Sequence, residues 1–176
     1  MSTFCIIATG QSLTPEQVEA VKHIPCIAVS DVYRLAPWSV AMVSQDKAWW
    51  RQHPEALDFA GRKFSGSGVE GTEKVEREGL ITSGTNSGLL ACHVAVTIFQ
   101  ASRLILLGFD LHGTHFFGPH PEPLRNTQPH RFDQMRKQFA NWRPKAEVVN
   151  CSPGSSLTCF PAMTLQQALS TCKAKT

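Results

Sequence analysis

The chain predicts a single α/β domain whose sheet is open and mainly parallel, flanked by helices. Three observations carry that expectation. Short apolar runs of strand length recur at residues 4–8, 26–29, 39–43 and 103–107, each closed by glycine or small polar residues. Helix start signals stand between them, so strands and helices alternate. Arg103-Leu-Ile-Leu-Leu107 lacks polar alternation and reads as a strand covered on both faces.

The elements follow in order. Residues 4–8 form the first buried strand and run into Thr9-Gly10-Gln11-Ser12-Leu13. Thr14 then caps a helix, Pro15 suits its first position, and Gln17 completes a capping box. The strand, glycine, helix order makes Gly10, Gln11 and Ser12 candidate phosphate or ribose contacts. A tight turn that simply needs glycine explains Gly10 equally well. GxGxxG is absent, which disfavours an ordinary dinucleotide site.

Residues 26–29 end at Ser30-Asp31, and residues 39–43 end at Ser44-Gln45-Asp46. Ser30, Asp31 and Asp46 are candidate ribose or base contacts, with helix capping as the competing role. Residues 47–53 predict a short helix stopped at Pro54, with Trp49 and Trp50 as packing anchors. Residues 61–79 mix five glycines with Lys, Arg and Glu, and read as an exposed ribbon or mobile excursion.

The stretch 81–110 organises the chain. Thr82, Ser83, Gly84 and Thr85 open a glycine and hydroxyl loop. Asn86 or Ser87 is the expected N-cap of an apolar helix over residues 88–99, and Gly88 permits close backbone approach. The first amides of that helix and its positive dipole end make Asn86, Ser87 and Gly88 candidate phosphate contacts. Asp110 follows Gly108-Phe109 at a strand's carboxyl end, where open α/β sheets gather ligand groups.

A proline-rich loop comes next, holding His112, His115, His120 and His130. Residues 131–142 predict a helix, residues 147–149 a strand, and Thr164 with Gln167 a second capping box. The result is a Rossmann-like sheet whose ligand edge collects the residues named above.

Composition bounds the function. With 176 residues, 42% hydrophobic and 18% charged, the chain is expected to be soluble, and a net charge of +3 is too mild to demand nucleic acid. Six scattered cysteines without CxxC point to reduced thiols. No signal-like or membrane-length apolar run is present, so a cytoplasmic protein without a membrane partner is expected. No divalent metal is expected, since HExxH is missing and HxxH alone specifies little. GxSxG is absent, as is the Lys-Ser/Thr pair of a P-loop. What survives is nucleotide binding by amides and hydroxyls, with His112, His115 or His130 supplying acid/base chemistry.

Residues NSGLLACHVA, RLILLGFD, HFFGPHP and VVNCSPGSSLTCFP, with Ala36-Pro-Trp38 and Asp46…Trp49-Trp50, resemble an uncharacterised family of small proteins encoded by bacteriophages and prophages. That resemblance implies phage ancestry and the cytoplasm of a bacterial host. More distantly, the TGQSL turn, Ser87-Gly88 and Gly108-Phe-Asp110 resemble bacterial sialyltransferases of the Campylobacter type and pterin-diphosphokinase-like proteins. The sialyltransferase resemblance implies nucleotide-side roles for Gly10, Ser12, Ser30, Ser87, Gly88 and Asp110, and transfer from a nucleotide donor to a hydroxyl acceptor. Those transferases place tyrosines beside the leaving phosphate, whereas Tyr33, the one tyrosine, lies outside the corresponding loop. His112 occupies a comparable place, and His130 corresponds loosely to the lid histidine. A non-catalytic accessory protein and an ATP-dependent diphosphokinase remain as alternatives.

Overall fold

The computed structural model describes residues 2–75 and 86–173. Among them, seven strands form one sheet: β1 Thr3–Ile7, β2 Cys26–Val29, β3 Ala41–Val43, β4 Arg62–Ser65, β5 Glu73–Lys74, β6 Arg103–Leu107 and β7 Glu147–Asn150. Their spatial order is β5-β4-β3-β2-β1-β6-β7, and every neighbouring pair is parallel. The chain therefore steps outward from β1 to β5, then returns to lay β6 on the other side of β1. This is an α/β, Rossmann-like architecture.

Side-chain alternation explains why both faces are covered. Phe4 and Ile6 of β1 join Leu104 and Leu106 of β6 in one core, while Cys5, Ile7, Ile105 and Leu107 belong to the other. The helices are α1 Pro15–Ala20, α2 Lys47–Gln52, α3 Ser87–Thr97, α4 Pro129–Asn141 and α5 Leu165–Lys173. Residues of α3 and α4 fill the first core; those of α1, α2 and α5 fill the second. Helix α3 is buried continuously from Leu89 to Ala95 because the sheet lies on one side of it and Phe109 and Phe139 join its core. That burial accounts for its lack of a polar face.

The capping boxes form as expected. Thr14 and Gln17 exchange bonds of 3.3 and 3.0 Å, and Thr164 and Gln167 exchange bonds of 3.2 and 2.9 Å. Helix α4 starts two residues earlier than position 131 because Pro129 takes a first-turn position. Trp49 and Trp50 are buried, and each indole N–H finds an acceptor, Asp31 Oδ2 at 2.8 Å and the Ser44 carbonyl at 2.9 Å.

The region expected to be a ribbon or excursion instead adds two sheet strands, β4 and β5. Phe64 is fully buried, and the Arg62 guanidinium lies 4.8 Å from its ring while pairing with Glu73 on the next strand. A charged residue at the sheet margin thus lays its guanidinium over apolar rings, a pattern that composition alone reads as solvent exposure. Positions 76–79 of that region lie outside the described residues, as do Thr82, Ser83, Gly84 and Thr85. Among the described residues no helix is long and apolar enough to cross a membrane.

Two glycines with the same backbone angle separate conformational strain from steric overlap. Gly108 and Gly154 both sit at φ +69; a Cβ at Gly108 would overlap the Ala8 carbonyl, whereas one at Gly154 meets open space. Gly154→Ala should cost roughly 1–2 kcal/mol from the left-handed conformation alone. Gly108→Ala should cost about 1–3 kcal/mol more, because β1 and β6 must separate to admit the methyl group. Urea unfolding of the two variants measures the difference.

Candidate functional site

The reversal of direction at β1 and β6 leaves a crevice outside their carboxyl ends, the usual ligand position in open α/β sheets. A cavity of about 420 Å³ occupies it. Its floor is Thr9 and Gly10 after β1, with Gly108 and Phe109 after β6. One wall brings together Ser30 and Asp31 beyond β2, Asp46 beyond β3, and the start of α3 at Asn86, Ser87 and Gly88. The loop between Leu111 and Thr127 forms the opposite wall.

Asp110 is turned away from this cavity. It is buried, its Oδ2 accepts the Ser12 backbone N–H at 2.8 Å, and its Oδ1 accepts the Ser12 hydroxyl. Neither Asp110 nor Gln11 nor Ser12 lines the cavity. The strand-end carboxylate therefore holds the turn between β1 and α1 rather than pointing at a ligand. Gln11 supports the facing loop instead, its side-chain oxygen accepting the Thr114 N–H at 3.3 Å. Gly10 is required by the same packing: its N–H donates to Gly108 O at 2.9 Å, and a Cβ would lie 2.5 Å from that oxygen. Its backbone still faces the cavity.

Asn86 is the N-cap of α3, accepting the Leu89 N–H at 3.0 Å. The Ser87 hydroxyl instead accepts the Gln45 N–H at 2.9 Å, tying the helix start to the end of β3. The first backbone hydrogen bond of α3 runs from Leu90 to Asn86, so the amides of Ser87 and Gly88 precede it at the cavity wall. Gly88 also makes room for Phe109, whose ring would lie 2.8 Å from an added Cβ.

Asp46 caps α2 through the Ala48 N–H at 2.8 Å while its residue lines the cavity, so capping and site placement coexist. Ser30 adopts φ 47 and its hydroxyl meets that of Ser44 at 3.2 Å. Asp31 is buried, fixed by the Trp49 indole, with Arg34 and His53 at 3.5 and 3.7 Å.

The loop wall is pinned to the β1 turn. His115 bridges Gly10, Phe116 N–H donates to Thr9 O at 2.8 Å, and His115 Nδ1 lies 2.8 Å from the Thr9 hydroxyl. Phe117 stacks on His115 at 5.0 Å, and the His120 ring is 4.3 Å away. Burial, aided by the neighbouring His120, pushes the His115 imidazole down to about 4, and burial also lowers His120. Both rings are thus neutral near neutral pH and keep a lone pair for a proton.

The other expected histidines divide. His112 lies at the cavity, and its Nε2 donates to Gly154 O at 3.0 Å. His130 is exposed in the first turn of α4 and does not line the cavity. The structure adds Thr9 and Arg125, which sequence spacing did not single out as site residues, and brings His120 of the histidine-bearing loop to the cavity. Arg125 lies between prolines in a loop whose path only the fold reveals. Among the described residues no group of three or more His, Cys, Asp or Glu side chains is arranged to hold a metal ion.

No protein-family model matches the chain, and no curated protein or solved structure matches it.

Two outcomes follow from these contacts. Asp110→Ala leaves both Ser12 donors without their acceptor and should destabilise by about 2–4 kcal/mol, whereas Ser12→Ala keeps one bond and should cost about half as much, both read by urea unfolding. The second outcome concerns pH. His115 has a folded pKa near 4 against an unfolded value near 6.5. The unfolded chain therefore takes up a proton first, so this contribution is complete above about pH 6.5 and is lost as pH falls towards 4. His115→Gln should make the fall in melting temperature across that interval shallower than in the wild type.

Proposed function

We propose that the cavity binds a nucleotide and that the protein transfers a group from that nucleotide donor to a hydroxyl acceptor. The observation that carries this reading is the set of polar groups that converge on the cavity. Its one wall offers the first amides of α3, its loop offers Arg125, and Asp31 and Asp46 stand beyond β2 and β3. Amides at a helix start together with a guanidinium suit a phosphate. Carboxylates at the ends of the neighbouring strands suit ribose hydroxyls. A volume of about 420 Å³ falls within the range of small-molecule sites.

In this reading Thr9, Gly10, Ser87 and Gly88 surround the phosphates through their backbone, and Ser12 and Asp110 keep the turn in shape. His115 and His120 stand at the loop wall as candidate proton acceptors, and His112 at its rim. The resemblance to the sialyltransferases supports the roles of Gly10, Ser30, Ser87 and Gly88 but not those it implied for Ser12 and Asp110, and the phage resemblance would place the protein in a bacterial host. Tyr33 cannot take the tyrosine role of that family in this conformation: its hydroxyl donates to Glu55 at 2.8 Å, and it does not line the cavity. That departure favours a non-catalytic nucleotide-binding protein as the second reading.

Thermal unfolding with CMP, UDP, GDP and ATP, with and without magnesium or manganese, tests the binding. A nucleotide at 100 times its Kd should stabilise the fold by about 2.7 kcal/mol. Arg125→Ala, at an exposed position, should weaken binding about tenfold. Absence of any shift across the panel rules out the nucleotide reading. Donor hydrolysis by the wild type that is lost in His120→Ala separates an enzyme from a binder.

A further inference from the structure

The net charge of +3 conceals an uneven distribution. Residues 125–145 hold six Lys or Arg and one Asp, a net +5, so the rest of the chain is acidic on balance. We propose that this basic stretch binds a single-stranded nucleic acid, and that the nucleotide in the cavity is one residue of that strand. The proposal deepens the nucleotide reading and rests on it.

The charge is uncompensated where it lies. Several cations elsewhere meet carboxylates: Lys22 pairs with Glu19 at 3.3 Å, Arg34 with Glu55 at 2.8 Å and Arg62 with Glu73 at 2.6 Å. Within the basic stretch the one Asp, Asp133, is taken up by Arg136. Among the described residues no carboxylate pairs with Arg125, Arg131, Lys137, Arg143 or Lys145. All of these but Arg131 are exposed. Solvated cations gathered on one segment repel one another, and a run of phosphates both relieves that repulsion and releases its own counterions.

The stretch also has a direction. Phe132 and Met135 of α4 line the cavity, and Arg125 stands in its wall. From there α4 runs for 13 residues, about 20 Å, and Arg143 and Lys145 follow it before β7 begins at Glu147. Strand β7 is parallel to its neighbour, so its start lies at the sheet edge opposite the cavity. Cations therefore track from the cavity mouth along the exposed side of α4. About six stacked nucleotides span that length at ~3.4 Å each.

On the other side of the cavity the surface turns aromatic. A second cleft, of about 290 Å³, shares Asp31 and His120 with the first and is walled by Phe116, Phe117, Leu35 and Pro121. Phe117 is 38% exposed, and His115 stacks on it at 5.0 Å with an interplanar angle of 6°. A base laid on the exposed side of Phe117 continues that stack, and any base can do so because every base has a π face. Cations that follow a phosphate backbone, next to an open stacking ring, are the two features by which proteins hold single strands. A duplex keeps its base faces covered, and an acidic protein segment would answer the cations but not the stacked rings.

Fluorescence anisotropy with labelled eight-nucleotide single strands of DNA and RNA tests the surface, beside the melting-temperature panel of mononucleotides. If Arg125, Arg131, Lys137 and Arg143 each meet a phosphate, affinity should fall about 50-fold between roughly 50 and 200 mM salt. Lys137→Ala should lower the slope of log affinity against log salt by about 0.7. Phe117→Ala should weaken the strand about tenfold. Lys22→Ala, just beyond α1 and against the opposite face of the sheet, should change neither. If Phe117→Ala fails to fold, the salt slope of Lys137→Ala decides. An excess of any mononucleotide that raises the melting temperature should displace the strand. Mononucleotide shifts without strand binding overturn the surface and leave the nucleotide reading standing. Strand binding without any mononucleotide shift overturns the passage through the cavity together with the nucleotide reading. Equal affinity for a duplex of the same sequence, or for phosphatidylglycerol vesicles, overturns the single-strand assignment.

Discussion

The close approach of the backbone after β1 to the backbone after β6 is the constraint on which the site depends. Ala8 N–H donates to Leu107 O at 2.8 Å and Gly10 N–H to Gly108 O at 2.9 Å, so the two segments stay paired beyond the strands. Glycine at both positions makes that possible, because a side chain at either would overlap the opposing backbone. Asp110 then fastens Ser12, and His115 bridges Gly10 from the other side. The cavity floor, the β1 turn and the start of the loop are one hydrogen-bonded unit.

Helix α3 supplies the other fixed wall. Its apolar body is buried against the sheet, so its direction is set by packing rather than by any ligand. Asn86 caps it and also donates to Gln138 of α4 at 3.3 Å, while Ser87 ties it to β3. The helix therefore presents its first amides to the cavity in a fixed orientation, with the positive end of its dipole towards the site. Asp31 and Asp46 stand on the same wall, beyond the ends of β2 and β3, and the 111–127 loop faces them.

What the sequence made legible was local. The capping boxes at Thr14 and Thr164, the stop before Pro54 and the doubly covered strand β6 depend on residues a few positions apart, and each appears in the structure. Strands β4 and β5 were obscured because charged residues at a sheet margin look like loop residues until their neighbours are placed. Asp110 shows the limit at the site itself. Its position beyond a strand was readable; the direction of its carboxylate was not, since that depends on Ser12, 98 residues away. The same holds for Gly10, whose glycine answers Gly108, and for His120 and Arg125, which reach the cavity only through the path of the loop.

The histidines can be ranked by how firmly each is held. His112 donates one nitrogen to Gly154 O, and His130 stands outside the cavity altogether. His115 is engaged with the Thr9 hydroxyl, stacked on Phe117 and hemmed by His120, so moving a proton onto it disturbs the loop's attachment to β1. Burial lowers His120 as well, its ring packs at a tilt against Phe117 and His115, and its backbone N–H is anchored to Asn126 Oδ1 at 2.7 Å. Backbone anchorage at the cavity wall is what a proton acceptor needs: position fixed by the chain, chemistry left to the side chain. His115 is then the group that orients the loop, and the neighbouring His120 helps hold the His115 imidazole neutral.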